Sequence, residues 1–166
     1  IKSINLINSF ISDKDLGGLN VTIPYKEEII PYLDALSDEA KEIGAVNTIC
    51  FENNKKIGYN TDIFGFTESL KVNSINNINA MIIMGTGGAA KTIIHFCKKN
   101  KIPFNVISRR NSKEYLSYRD IDHSFFKGNV LIVNCTPVGT YPNINKCPDL
   151  PYNCLLYTSP SPRDGD

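Results

Sequence analysis

Residues 80–91 read AMIIMGTGGAAK, and no other stretch of the chain narrows the fold as far. Ala80 to Met84 are apolar without alternation, the pattern of a strand covered on both faces in a parallel sheet. Gly85 to Ala89 form a glycine turn, after which Ala90, Ile93, Ile94 and Cys97 recur at helical spacing. A helix entered this way must cross back over the sheet to a parallel neighbour, in the right-handed sense. Candidate neighbours follow in PFNVISRR and NVLIVNCTPVG, with KEYLSYRD between them expected as a weak helix. The spacing predicts a strand-helix-strand-helix-strand unit and an α/β fold.

The turn itself carries chemistry. Glycine permits positive φ and lets the backbone approach a pyrophosphate, while the helix N-terminus offers unpaired N–H groups and positive partial charge. The letters are G-x-G-G-A, shorter than the full dinucleotide fingerprint, so the strand-turn-helix context carries the reading over a plain tight turn. A site for NAD places Asp or Glu after the next strand to hold the ribose 2′-OH. Here that position reads Ser108-Arg109-Arg110-Asn111-Ser112-Lys113, without a carboxylate. Two guanidinium groups suit a 2′-phosphate, which favours NADP over NAD. Lys113 taken alone reads as an ordinary solvated lysine.

Upstream the pattern changes. In GLNVTIPYKEE, Leu19, Val21 and Ile23 alternate with polar residues as in a half-buried strand, which Pro24 ends. Lys26 therefore lies at a strand-to-helix junction. Ser37 is a good N-cap for a short helix with Asp38 and Glu39 in its first turn, and Gly44 closes it. AVNTICF and KKIGYNT read as a hairpin about Asn53-Asn54, and DIFGFTESLKV as a helix that begins at Asp62. NSINNIN is polar and turn-prone between two lobes. The expected organisation is a substrate-binding and catalytic domain over 1–65, a dinucleotide-binding domain over 66–154, and a non-native tail over 155–166.

Composition excludes several function classes. With 18 basic and 17 acidic residues, no net field draws the chain to nucleic acid or an anionic membrane. No apolar run reaches the roughly 20 residues that span a bilayer. The five cysteines form no C-x-x-C pair and have two histidines for company, which argues against a zinc site and a disulfide framework and for reduced thiols in a cytosol. His95 and His123 acquire no role. The chain opens at Ile1 inside a helix-like pattern and closes on LLYTSPSPRDGD, so it reads as a fragment.

Taken together and in this order, GLNVTIPYKE, GAVNT, GYNTDIFGF, GTGGAAK, SRR and NCTPVGTYP resemble the shikimate dehydrogenases, up to about Asn153. The resemblance implies an N-terminal α/β substrate domain and a C-terminal Rossmann-like NADP domain, both partial, and reduction of 3-dehydroshikimate to shikimate in aromatic amino-acid biosynthesis. It implies Lys26 and Asp62 as the catalytic pair, with Thr22, Asn47 and Thr61 joining them on the substrate. It puts Asp38 near the cofactor, Gly85, Thr86, Gly87, Gly88 and Ala89 on the pyrophosphate, and Ser108, Arg109, Arg110 and Lys113 on the 2′-phosphate. Thr136, Pro137 and Val138 match a loop over the cofactor. Ser108, Arg110 and Lys113 depart from the family's Asn, Thr and Arg while keeping positive charge. The family's S-x-S pair falls upstream of Ile1, and its substrate-contacting glutamine falls where the Ser-Pro tail begins. The expected partner is a small molecule in the cytoplasm, with no nucleic acid and no membrane; a homodimer is left open. A quinate/shikimate dehydrogenase using NAD is the near alternative, disfavoured by Arg109-Arg110. A non-catalytic dinucleotide module is the distant one, disfavoured by Lys26 and Asp62.

Overall fold

The structure is a computed structural model that describes residues 4–8, 16–109 and 112–150. It divides into two compact units, Ile1–Asn76 with Gly87–Asn100, and Asn77–Thr86 with Lys101–Asp166.

The first unit is built on a four-stranded sheet of order β1-β3-β4-β2, with β1 Gly18–Asn20, β2 Ala35–Leu36, β3 Thr48–Glu52 and β4 Lys55–Tyr59. β3 and β4 are the expected hairpin, with Glu52 opposite Lys55. Asn53 and Asn54 turn it with φ of 51° and 61°, the left-handed pair that a tight hairpin requires and that asparagine tolerates. β1 is shorter than the alternation from Leu19 to Ile23 suggests. The Val21 N–H still bonds Asn47 O at 2.7 Å, but Tyr25 N–H then bonds Thr22 O at 2.9 Å and the chain turns.

Helices over 38–43, 62–72 and 88–99 belong to the same unit. Helix α1, Asp38–Ile43, is capped by Ser37, whose hydroxyl accepts from Ala40 N–H at 3.1 Å, and it ends on left-handed Gly44. Helix α2, Asp62–Val72, buries Ile63 and Leu70, and helix α3, Gly88–Lys99, buries Ala90, Thr92, Ile93, Phe96 and Cys97. The Phe66 and Phe96 rings meet edge to face with centroids 5.1 Å apart, a favoured aromatic geometry. That contact explains why α2 and α3 share a unit, whereas the sequence reading drew its boundary at residue 65. Ile7, Ile29, Ala40, Val46 and Ile49 form the core beneath the sheet.

The second unit carries a parallel sheet of order β6-β5-β7, with β5 Ala80–Met84, β6 Phe104–Ile107 and β7 Val130–Asn134. Met81 to Met84 are buried, as their unbroken apolar run requires. The chain leaves β5 for β6 on one side, then returns to β7 on the other. The ends of β5 and β7 therefore flank the switch point where open α/β sheets bind ligands.

The weak helix expected over 113–120 is absent. Leu116 N–H bonds Val106 O and Ser108 N–H bonds Leu116 O, each at 2.9 Å, so the segment joins the edge of β6. Ser117 and Asp120 then form a capping box around a 3-10 turn at Tyr118–Asp120, and a second turn spans His123–Phe126. Among the described residues, no helix is long and apolar enough to cross a membrane.

Candidate active site

Lys26 and Asp62 come from segments 36 residues apart, and Lys26 Nζ meets Asp62 Oδ2 at 2.5 Å. Lys26 follows the turn that ends β1, and Asp62 is the first residue of α2, where the helix dipole favours a carboxylate. The lysine side chain is 15% exposed and the aspartate 38%, so the pair is half-buried and still open to solvent.

Asn47 organises the rest. Its Nδ2 donates to Asp62 Oδ1 at 2.8 Å and to Thr61 Oγ1 at 2.9 Å. Its Oδ1 accepts from Thr61 N–H at 2.8 Å and from Thr48 Oγ1 at 3.0 Å. Thr61 is the N-cap of α2, yet its side chain turns to Asn47 instead of its own helix. One amide thus fixes the carboxylate and two hydroxyls in a single network. Asp62 is bonded at both oxygens, while Lys26, with three donors, keeps two beyond its aspartate bond.

Two expected substrate or cofactor residues take simpler places. Thr22 is exposed, and its carbonyl closes the turn to Tyr25. Asp38 is exposed in the first turn of α1, where the helix N-terminus accounts for a carboxylate.

The glycine turn falls where the sequence puts it. Gly85 ends β5 with φ +105°, a conformation that only glycine adopts at ease, and an added Cβ would lie 3.1 Å from Cys135 O. Gly87 is the N-cap of α3 without a side-chain cap, and nothing lies within 4 Å of where its Cβ would be. Such an uncapped N-terminus with open space in front fits an anionic group. Ser108 is buried at the end of β6, and Arg109 and Lys113 after it are exposed. Burial pushes the Tyr118 hydroxyl up, with the charge of Arg109 acting against it. Arg110 lies outside the described residues.

Beyond β7, Asn134 shapes the loop that holds Thr136, Pro137 and Val138. Its Oδ1 accepts from Thr136 N–H at 3.0 Å and Thr136 Oγ1 at 2.7 Å, and its Nδ2 donates to Val138 O at 2.9 Å. Among the described residues, no group of His, Cys, Asp and Glu could hold a metal ion.

Comparison with known proteins bears on what this network is for. Residues 2–49 match the shikimate dehydrogenase substrate binding domain. The chain is 43% identical over 159 residues to the shikimate dehydrogenase (NADP(+)) of Clostridium beijerinckii, covering 89% of this chain and 55% of that protein. The crystal structure of shikimate dehydrogenase 1 from Peptoclostridium difficile superposes with a TM-score of 0.73 at 41% identity, covering 86% and 54% of the two chains. The Thermus thermophilus shikimate 5-dehydrogenase, solved in complex with NADP(H) and shikimate, gives 0.72 at 28% identity, covering 86% and 56%. These comparisons point to the shikimate dehydrogenases as what the chain resembles. The chain spans about half the length of the curated relatives it matches.

Three residues that the motifs do not single out also shape this site. Asn60 is buried, donates to Ala45 O at 3.0 Å and Thr92 Oγ1 at 3.1 Å, and accepts from Ile63 N–H, which sets the start of α2 and hence Asp62. Thr48 extends the Asn47 network, and Asn134 pins the 136–138 loop. The sequence shows only an asparagine between Tyr59 and Thr61 just before a helix; its burial, which demands specific partners, is visible only in the fold.

Proposed function

We propose that the gene product carrying this chain is an NADP-dependent shikimate dehydrogenase. The observation that carries this reading is the Lys26–Asp62 pair locked by Asn47 and Thr61. The named relatives support it, including the Thermus enzyme solved with NADP(H) and shikimate. On this reading 1–65 supplies the substrate and proton-handling residues, and 66–154 the cofactor residues.

The residues present fit a phosphorylated dinucleotide. Gly85 to Ala89 offer an uncapped helix N-terminus and a glycine with open space beyond its Cα, and Arg109 stands where an NAD site would carry an acid. Ser108, Arg110 and Lys113 would share the 2′-phosphate, Thr136 to Val138 would cover the cofactor, and Asp38 would lie near it. When bound, NADPH supplies the hydride.

The chain's own residues handle the proton. A ketone carbon that receives hydride leaves an alkoxide, which needs a cation and a proton at its oxygen. Lys26 offers both from the donors that Asp62 does not occupy, and the aspartate holds the ammonium in orientation. Asn47, Thr61 and Thr22 suit the hydroxyls of a polyhydroxylated ring, a small-molecule substrate met by short directional groups. A cytoplasmic location accords with reduced cysteines.

The test is oxidation of shikimate by the purified gene product with NADP+, followed by NADPH absorbance. Turnover with NADP+ well above that with NAD+ is the expected result. NADPH binding without any turnover would establish a non-catalytic module. Turnover that prefers quinate and NAD+ would place the chain with the quinate/shikimate enzymes.

A further inference from the structure

We propose that one face of helix α3, formed by Gly88, Lys91 and Thr92, positions the Lys26–Asp62 pair, and that Gly88 is a glycine for the sake of the lysine. This rests on the proton-handling role of Lys26 given above.

The three glycines of the turn have different reasons to be glycine. Gly85 needs its positive φ, and Gly87 faces open space. Gly88 needs neither. It is the first residue of α3 without a left-handed φ, where alanine is the better helix former. A Cβ there would lie 2.8 Å from Lys26 Cβ, 3.3 Å from Lys26 Cδ and 3.3 Å from Ala45 Cβ. The closest of these is shorter than carbon atoms tolerate, and it falls on the base of the lysine side chain, which moves only with its backbone.

That backbone is held. Lys26 O accepts from Val46 N–H at 2.7 Å. The next residue, Glu27, takes the ammonium of Lys91 on α3 at 2.6 Å. The other partner is held from the same helix, because Asn60, two residues before Asp62, donates to Thr92 Oγ1 at 3.1 Å. Residues 88, 91 and 92 therefore address both halves of the pair. The Glu27–Lys91 bridge is half-exposed, so its contribution is orientation more than stability.

The experiment compares Gly88→Ala, Lys91→Met and Gly87→Ala in the gene product carrying this chain. Two readouts are taken on variants whose thermal unfolding stays cooperative. The first is the acetylation rate of Lys26 relative to exposed Lys55 by mass spectrometry, which needs no activity. The second is kcat set against the dissociation constant for NADPH. Gly88→Ala should accelerate Lys26 acetylation several-fold and cut kcat by about 10²-fold, the scale for a catalytic group misplaced by roughly an ångström. Gly87→Ala should leave Lys26 acetylation unchanged and raise the NADPH dissociation constant about tenfold, because the added methyl group fills the open space before the helix N-terminus and weakens a charge-assisted hydrogen bond there. Lys91→Met should act like Gly88→Ala to a smaller degree, with Lys91→Arg restoring the original rate, and this arm decides the matter if Gly88→Ala does not fold. Gly88→Ala that weakens NADPH as Gly87→Ala does, with Lys26 acetylation and kcat unchanged, would overturn the proposal. An unsubstituted protein without turnover would overturn the functional reading alone, and the acetylation comparison would still decide this one.

Discussion

Asn47 and Lys26 hold opposite oxygens of the same carboxylate: Asn47 Nδ2 bonds Asp62 Oδ1 at 2.8 Å, and Lys26 Nζ bonds Oδ2 at 2.5 Å. The aspartate cannot swing to follow the lysine without breaking the hydrogen bond that the Asn47 amide donates to it. Asn47→Ala should therefore lower kcat/KM for shikimate about 10- to 150-fold, the equivalent of the roughly 1.5–3 kcal/mol that a hydrogen bond to a charged group contributes. Steady-state kinetics of the variant measure this. A change of less than twofold would show that Lys26 alone orients the carboxylate.

Asn60 should matter to the fold rather than to turnover directly. Its replacement by alanine leaves Ala45 O and Thr92 Oγ1 without their donor in a site that is 5% exposed. Unsatisfied buried groups cost about 1–3 kcal/mol each, so the urea midpoint of Asn60→Ala should fall with the slope unchanged. An unaltered midpoint would mean that water replaces the amide without loss.

Arg109 separates the cofactors. Arg109→Ala should raise the dissociation constant for NADPH about 10- to 150-fold, again the range of a charged hydrogen bond, with NADH little affected. Equal losses for both would remove the 2′-phosphate assignment.

Much of this architecture was local and hence readable. The Asn53-Asn54 hairpin, the Ser37 cap with Gly44, the start of α2 at Asp62 and the strand-turn-helix at 80–99 each depend on neighbours a few residues apart. The misreading at 113–120 was a competition between local helical spacing and a β6 edge that takes the Leu116 backbone, which no short window contains. The place of α3 in the first unit was illegible for a related reason. An apolar stripe says that a helix buries a face but not against which partner, and here the partner includes Phe66. Lys26, Asp62, Asn47 and Thr61 were named through family resemblance, and the structure joins all four in one hydrogen-bonded network. The direction of each Asn47 bond needed the folded chain.

Cys97 gives a pH-dependent test of the α3 packing. It is fully buried, and burial pushes its thiol up to about 11 from an ordinary value of 9.0. Between those values the unfolded chain has released the proton that the folded chain retains, so stability falls as pH rises through that window. Urea unfolding across this range should show a shallower decline in Cys97→Ala than in the unsubstituted protein. Alkylation near neutral pH should mark exposed Cys147 well before Cys97. Parallel declines with pH, or early alkylation of Cys97, would contradict the buried placement.

The most direct test of the account is kcat for Lys26→Ala, measured with shikimate and NADP+ in the gene product that carries this chain. If Lys26 delivers the proton to the reacting oxygen, kcat should fall by roughly 10²–10⁴-fold, the usual size of general acid–base help, with KM changed much less. A variant with near-native kcat and a raised KM would show that the lysine only binds substrate, and the catalytic reading of the Lys26–Asp62 pair would be wrong.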